Sequence, residues 1–285
     1  LQLRAAGNRA LAAAKAQGLN ESNLILAAAA IDRILAEICC RPDSLMGQEA
    51  PPECAIVRIT EDDDLRSIEG FKKALLATTR TNCCLWISIP CTGGSSFQRI
   101  NKFKSPGHRE RMKQHKKLFD ELFPRVEELC ASTRKHGGKI VLEWPRDNAY
   151  WHLPQVKRLI KLYGLNAVSF DGCALGLTAE CGLLMHKPWK IVTDCVEVSN
   201  AFKDCKCPKN HEHAVCKGKD CERSGRYTKT MAKKFHRAFA KYILNKKQGI
   251  TAYAVAAPEL NPTKCKWLCC ECSANPTDEQ KTLLC

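Results

Sequence analysis

Five apolar runs of strand length recur along this chain: CAIVRIT from Cys54, LWISI from Leu85, KIVL from Lys139, LNAVSF from Leu165 and KIVT from Lys190. Stretches of helical character separate them, over residues 65–78, 108–135 and 154–163. In the second of these, Leu118, Leu122, Val126 and Leu129 fall on one face. Gly137-Gly138 and Gly164 stop the last two. Strand and helix in this rhythm predict an α/β fold, a mostly parallel sheet with helices on both faces. KIVT is expected at the edge. Upstream, the run NLILAAAAIDRILAEICC from Asn23 reads as one helix, or as a helix giving way to a strand at about Arg33. Periodicity does not choose between the two.

With 285 residues, 45% of them hydrophobic, the chain can bury a full core in one α/β domain with small appendages. The formal charge is +15. Basic residues cluster at Arg99, Lys102, Lys104, Arg109, Arg111, Lys113, Lys116 and Lys117, a stripe that favours a polyanionic partner, nucleic acid foremost. Nineteen cysteines would suggest disulfides in a short secreted chain. This chain is not short, shows no secretory signal, and places its cysteines in strand-like runs or beside histidines. Free thiols, a metal and a reducing intracellular compartment are expected instead. No apolar run reaches membrane-spanning length. A start at leucine suggests a piece of something longer.

The most informative stretch is LWISIPCTGGSSF, from Leu85. A strand-like run ends at Pro90, Cys91 follows, and Thr92 to Ser96 form a small loop. A buried strand that delivers one thiol to a glycine-rich edge is how open α/β sheets present a nucleophile. A buried cysteine before an ordinary turn would look the same. A second strand ending in Glu143-Trp144-Pro145 should lie beside it, with the intervening helix as crossover. A thiol beside a carboxylic acid suits addition to an electron-poor heterocycle, the acid stabilising charge on a ring nitrogen. Peptide hydrolysis would need a histidine base, and the only histidines nearby in sequence are His108 and His115.

Four acids, Glu61 to Asp64, end the CAIVRIT strand. Glu61 and Asp62 at that tip are placed to hold a ribose diol; the same acids would also favour the N-terminus of the helix that follows. Further on, Cys205-x-Cys207-x3-His211-x-His213-x2-Cys216-x4-Cys221 offers soft and borderline ligands suited to tetrahedral zinc. Cys205, Cys207, His211 and His213 or Cys216 are the expected ligands. A lysine-rich loop whose histidines face water is the plainer reading. Cys265, Cys269, Cys270 and Cys272 form a weaker group. Lys187 could meet phosphate, and Trp189 reads as core filler.

These residues carry a resemblance. Ile89-Pro90-Cys91 with its Gly/Ser loop resembles the proline–cysteine motif of DNA cytosine-5 methyltransferases, and Glu143-Trp144-Pro145 resembles that family's glutamate motif. The segment containing Glu37, Cys39, Cys40, Ser44 and Gly47 is similar, in degenerate form, to the first strand and S-adenosylmethionine loop. More closely, IPCTGG, LEWPRDNAYW, SFDGC-x-LG, KPWKIVT and the Cys/His stretch resemble methyltransferase-like domains of dinoflagellate and other algal retroelement polyproteins, over roughly residues 35–239.

The resemblance implies a class I, Rossmann-like methyltransferase sandwich acting on a flipped-out cytosine in DNA. Cys91 would add to C6, Glu143 would contact N3 and the amino group, and Pro90 would line the cofactor with the first-loop residues. Residues 93–117 would close over the DNA backbone, Gly93 and Gly94 serving as hinge. It implies a nuclear setting. The chain departs from the family where Arg41-Pro42-Asp43-Ser44 replaces a glycine-rich loop and where the Gln-x-Arg-x-Arg motif has no counterpart. There is also little room for a target-recognition domain. The expected organisation is a helix or linker over 1–22, a methyltransferase-like domain over 23–245 with a Cys/His insert at 204–222, and a Cys-rich tail over 246–285.

Overall fold

The structure, a computed structural model, describes residues 32–96, 98 and 105–249. The expected N-terminal helix or linker and most of the Cys-rich tail, Cys265 to Cys272 included, lie outside the described residues. Six strands form one sheet: β1 (Arg33–Ile38), β2 (Cys54–Ile59), β3 (Cys83–Ile87), β4 (Lys139–Pro145), β5 (Asn166–Asp171) and β6 (Pro188–Thr193), in the order β2-β1-β3-β4-β6-β5. β1 pairs in parallel with β2 and β3, and β3 with β4. β6 runs antiparallel to both β4 and β5. The sheet is mostly parallel, as expected, with one strand reversed.

The ambiguous run after Asn23 becomes strand from Arg33. All six residues of β1 are buried, the mark of a central strand covered on both faces rather than of an amphipathic helix. KIVT is not an edge strand. β6 buries Trp189, Ile191, Val192 and Thr193 between its neighbours, while β5, with Asn166 and Ala167 exposed, takes the edge.

Seven helices flank the sheet among the described residues: α1 (Leu45–Gln48), α2 (Ile68–Thr78), α3 (Pro106–Lys135), α4 (Pro154–Tyr163), α5 (Val196–Phe202), α6 (Lys219–Arg223) and α7 (Lys229–Lys247). Alternate strand residues enter two apolar layers. Ile34, Ala36 and Ile38 meet Ala74 of α2, Phe119 and Leu122 of α3 and Val156 of α4 on one face. Leu35, Trp86 and Val141 meet Met46, Phe202, Phe235 and Phe239 on the other. Ser105 opens α3 by accepting from the His108 amide at 3.3 Å, with Pro106 at the first helical position. Gly164, at φ 60°, closes α4. α7 is not among the helices expected from the sequence, although Phe235, Phe239 and Ile243 recur at helical spacing and are buried. No described helix is long and apolar enough to cross a membrane.

The chain winds from β1 to β2 on one side and then to β3 on the other, so the winding direction reverses at β1. In such sheets the crevice outside the carboxyl ends of the strands at the reversal is where ligands bind. That crevice receives Glu37 and the following loop from β1, and Cys91 from β3.

Candidate active site

Three strand tips converge on one cavity of about 460 Å³, whose lining includes Glu37, Ser44, Cys91, Glu143, Lys187 and Tyr227. Cys91 lies four residues beyond β3, on an extension held from both sides. The Ser88 amide donates to the Ile38 carbonyl at 3.2 Å, prolonging the pairing with β1. The buried Trp144 indole donates to the Ile89 carbonyl at 2.8 Å, tying this extension to β4. Beyond the cysteine, buried Asn148 donates its side-chain amide to the Cys91 carbonyl at 2.8 Å. The Trp of the Glu-Trp-Pro motif thus fastens the strand end that carries the thiol to the strand that carries the acid.

Gly93 and Gly94 are close-packed rather than an open hinge. A Cβ on Gly94 would come within 2.0 Å of the Asn148 Oδ1, and one on Gly93 within 2.1 Å of the Tyr150 hydroxyl. Only glycine lets the loop approach this closely.

Burial pushes the Cys91 thiol up to about 11; the Glu143 charge adds to the rise and Lys187 opposes it. The resting side chain is therefore a neutral thiol at neutral pH. Glu143 is 6% exposed and sits within β4, opposite Ile191 of β6, not past the strand's end as the apolar run suggests. Its Oε2 accepts from the Tyr227 hydroxyl at 2.8 Å, and that hydroxyl accepts from the Trp86 indole at 2.9 Å. Burial raises the Glu143 carboxyl to about 7, against the lowering effects of Tyr227 and Lys187. A carboxyl near 7 can hold or release a proton at neutral pH, the property a general acid needs.

At the tip of β1, Glu37 is fully buried. Its Oε1 accepts a close hydrogen bond from Ser44, which also caps α1 by accepting from the Met46 amide at 3.3 Å. Its Oε2 has no hydrogen-bond partner; the nearest cation is Arg58 Nε at 4.0 Å, itself unpartnered. Burial raises Glu37 to about 7, with Ser44 and Arg58 working the other way. Cys39 stands at φ 57°, in the left-handed region that favours glycine. The loop keeps a glycine-like backbone at that point without the glycine. The Cys40 thiol points to the Glu37 carbonyl at 3.5 Å.

A second cavity of about 440 Å³ continues past Cys39, Cys40 and Pro90 to Thr60 and Glu61. Glu61 therefore faces this space. Asp62 is exposed and does not line it. Nor do the acids begin the next helix: they form a separate tight turn in which Asp63 accepts from the Thr60 amide and pairs with Lys73 at 2.6 Å, while Ser67 caps α2.

Of the expected nucleic-acid contacts, Arg99, Lys102 and Lys104 lie outside the described residues. Arg109 is exposed on the first turn of α3. Lys187 is half-buried in the main cavity, 3.5 Å from the Ser224 hydroxyl. His108 is engaged by Gln98 and Arg111 at 2.9 Å each, and neither His108 nor His115 lines the cavity of Cys91. A cysteine–histidine pair is not what this site offers.

The Cys/His stretch assembles differently from its spacing. Cys173, Cys207, His211 and His213 bring four donor atoms within 4.8 Å of one another and could bind a metal ion. Cys205 turns away, its thiol facing the Ala201 carbonyl at 3.5 Å in the last turn of α5. Cys216 sits apart with Cys221, sulfur to sulfur 3.8 Å. Cys173, Asn148 and Tyr227 are the residues that sequence spacing misses, since each reaches its partner across the fold.

Compared with protein-family models, curated proteins and solved structures, the chain matches none.

Proposed function

We propose that the chain is an S-adenosylmethionine-dependent methyltransferase acting on C5 of cytosine in DNA. The observation that carries this reading is a thiol and a buried, protonable carboxyl brought into one cavity at the winding reversal of a parallel sheet. That pairing is poorly suited to acyl transfer and well suited to addition across the C5–C6 double bond of a pyrimidine. A sheet wound outward from β1, with layered helices on both faces, suits the methyltransferase-like sandwich.

In this reading the cytosine is turned out of its stack into the cavity. Cys91 loses its proton to solvent, with the Lys187 cation favouring the thiolate, and Sγ bonds to C6. Glu143 gives its proton to N3, so the electron pair displaced from the C5–C6 bond is held on the ring without building full negative charge. The adduct leaves C5 electron-rich and able to accept an electrophilic methyl group. From a C5-methylated adduct, loss of the C5 proton to water and breakage of the Sγ–C6 bond restore the C5–C6 double bond, the N3 proton returns to Glu143, and Cys91 leaves as thiolate. Tyr227 acts on Glu143 as a positioning residue, fixing its Oε2 while leaving Oε1 for the base.

S-adenosylmethionine, when bound, would supply the electrophilic methyl group, its S–CH3 bond breaking to leave S-adenosylhomocysteine. The residues at the tip of β1 fit such a ligand: the Glu37 Oε2 lacks a donor that an ammonium group would provide, and Cys39, Arg41 and Ser44 of the following loop line the same cavity. Glu61 would meet a ribose in the adjoining cavity. A DNA substrate would suit the nucleus or another reducing intracellular compartment, and the family resemblance suits a domain of a larger polyprotein.

One observation favours a second reading, a nucleic-acid-binding domain without catalysis. Where a cofactor would approach the backbone, the β1 loop carries side chains in place of glycines, Cys39, Cys40, Arg41 and Ser44 lining the cavity. Trapping on a DNA duplex carrying 5-fluorocytosine decides between them, because fluorine cannot leave C5 as a proton does and the adduct persists. The expected result is a denaturant-stable complex that requires both S-adenosylmethionine and Cys91 and is lost in Cys91→Ala. Salt-sensitive binding without an adduct, over a range of target sequences, would favour the second reading.

A further inference from the structure

We infer that Cys173, Cys207, His211 and His213 hold a structural Zn²⁺ that buckles the long connection before α7 to the end of β5. The inference is independent of the methyl-transfer reading. Its ligands come from two places: Cys173 from the turn that follows β5, and the other three from residues 207–213.

The distances among Cys207, His211 and His213 are near those of a ligand shell, and the Cys173 sulfur lies within 4.8 Å of all three donors. With Zn–S about 2.3 Å and Zn–N about 2.05 Å, tetrahedral geometry puts S and N about 3.5 Å apart and two N atoms about 3.3 Å apart. Here the Cys207 sulfur lies 3.8 Å from His211 Nε2 and 3.4 Å from His213 Nε2, and the two Nε2 atoms are 3.0 Å apart. His211 turns its Nδ1 to the Asn210 Oδ1 at 3.3 Å. A carbonyl there selects the Nδ1–H tautomer and leaves Nε2 with its lone pair directed at the cluster, as a metal ligand requires.

The surrounding groups serve the same end. The Lys209 amide points to the Cys207 sulfur at 3.4 Å, an arrangement that stabilises thiolate. The Cys207 amide donates to Asp171 Oδ2 at 2.9 Å, and Asp171 Oδ1 lies 3.4 Å from His186 Nε2. Two thiolates and two neutral imidazoles balance the charge of one divalent ion and close a four-coordinate shell, which is the structural form of zinc. A disulfide between Cys173 and Cys207 would leave the convergence of the two histidines without a purpose.

The connection itself calls for such a tie. Residues 203–218 contain no helix or strand, and Val215 within them is 74% exposed. A segment of that length with so little apolar anchoring is uncommon in a packed domain unless something else fixes it. The tie also reaches the main cavity. The Gly172 amide, next to Cys173, donates to the Lys187 carbonyl at 2.8 Å, so the metal end of β5 carries the backbone that positions Lys187.

The test is metal analysis of the full chain purified under reducing conditions. About one zinc per chain is expected, and exchange with Co²⁺ should give the intense visible absorption of a tetrahedral thiolate site. Cys173→Ser, Cys207→Ser and His213→Ala should each reduce bound zinc to about a tenth or less, whereas Cys205→Ser and Cys216→Ser should keep it. Retention in Cys173→Ser together with loss in Cys205→Ser or Cys216→Ser would overturn the ligand set. Should the ligand variants fail to fold, the wild-type protein decides: no zinc as isolated and no Co²⁺ spectrum on titration would overturn the site itself.

Discussion

In the proposed reaction, Glu143 and Cys91 titrate in the order opposite to the states they would need. The acid would act protonated and is raised to about 7, while the thiol would act ionised and is raised to about 11. Below pH 7 the acid is fully protonated and the thiolate fraction grows tenfold per pH unit. Between the two values the gain in thiolate and the loss of acid cancel, so the rate levels off. The rate of adduct formation on 5-fluorocytosine DNA is therefore expected to rise with pH and bend to a plateau at about 7. In Glu143→Gln, which keeps an acceptor for Tyr227, the rate should fall by about 10²–10⁴-fold and the bend should disappear, leaving a continuous rise. Single-turnover rates across the pH range check both. A bend that persists in the variant would show that another group sets it. The acid at 143 and the thiol at 91 were both legible in the sequence, because each stands at the end of an apolar run. Their pKa values were not, because burial in the assembled cavity raises both, and the groups that oppose the rise, Tyr227 and Lys187, enter from elsewhere.

At the scale of elements, the site depends on how firmly the β3 extension is tied to β4 and to the turn that follows it. Trp144 and Asn148 supply two of the ties, and the two glycines allow the loop to lie against Asn148 and Tyr150. Gly94→Ala is expected to destabilise the fold by about 1–3 kcal/mol, since the new methyl meets buried Asn148, which cannot swing away without breaking its bond to the Cys91 carbonyl. Urea denaturation of variant and wild type measures this. A change within experimental error would mean that the loop moves freely, as a hinge would. Most strands were readable from apolar runs, and their limits shifted by a few residues. The role of β6 was not, because an edge and an interior position of a short strand differ only in what lies beside them.

For the whole molecule, the charge of +15 and the exposed Arg109 on the first turn of α3 would add an electrostatic contribution to the proposed nucleic-acid binding. Part of the stripe is already neutralised within the protein: Lys113 pairs with Glu110, Lys116 with Asp120 and Lys117 with Glu121. If about five phosphates are neutralised on binding, log K should fall with log salt at a slope of about −4.5 on duplex DNA. Fluorescence anisotropy across a salt series reads the slope. A slope near zero would exclude the basic surface as the docking face.

Strand-length apolar runs alternating with helical stretches determined an α/β fold, because burial on two faces and a repeat of 3.6 residues leave separate marks in a sequence. The same local signals singled out Cys91, Glu143 and a Cys/His stretch. Only the tertiary structure decided which groups meet. It set Tyr227 against Glu143, put Lys187 in the cavity, left Glu37 Oε2 without a donor, and replaced Cys205 by Cys173 in the cluster. Each of these depends on which segments distant along the chain are brought together. No spacing rule encodes such contacts, because they depend on strand order and on the path of connections that have no periodicity of their own.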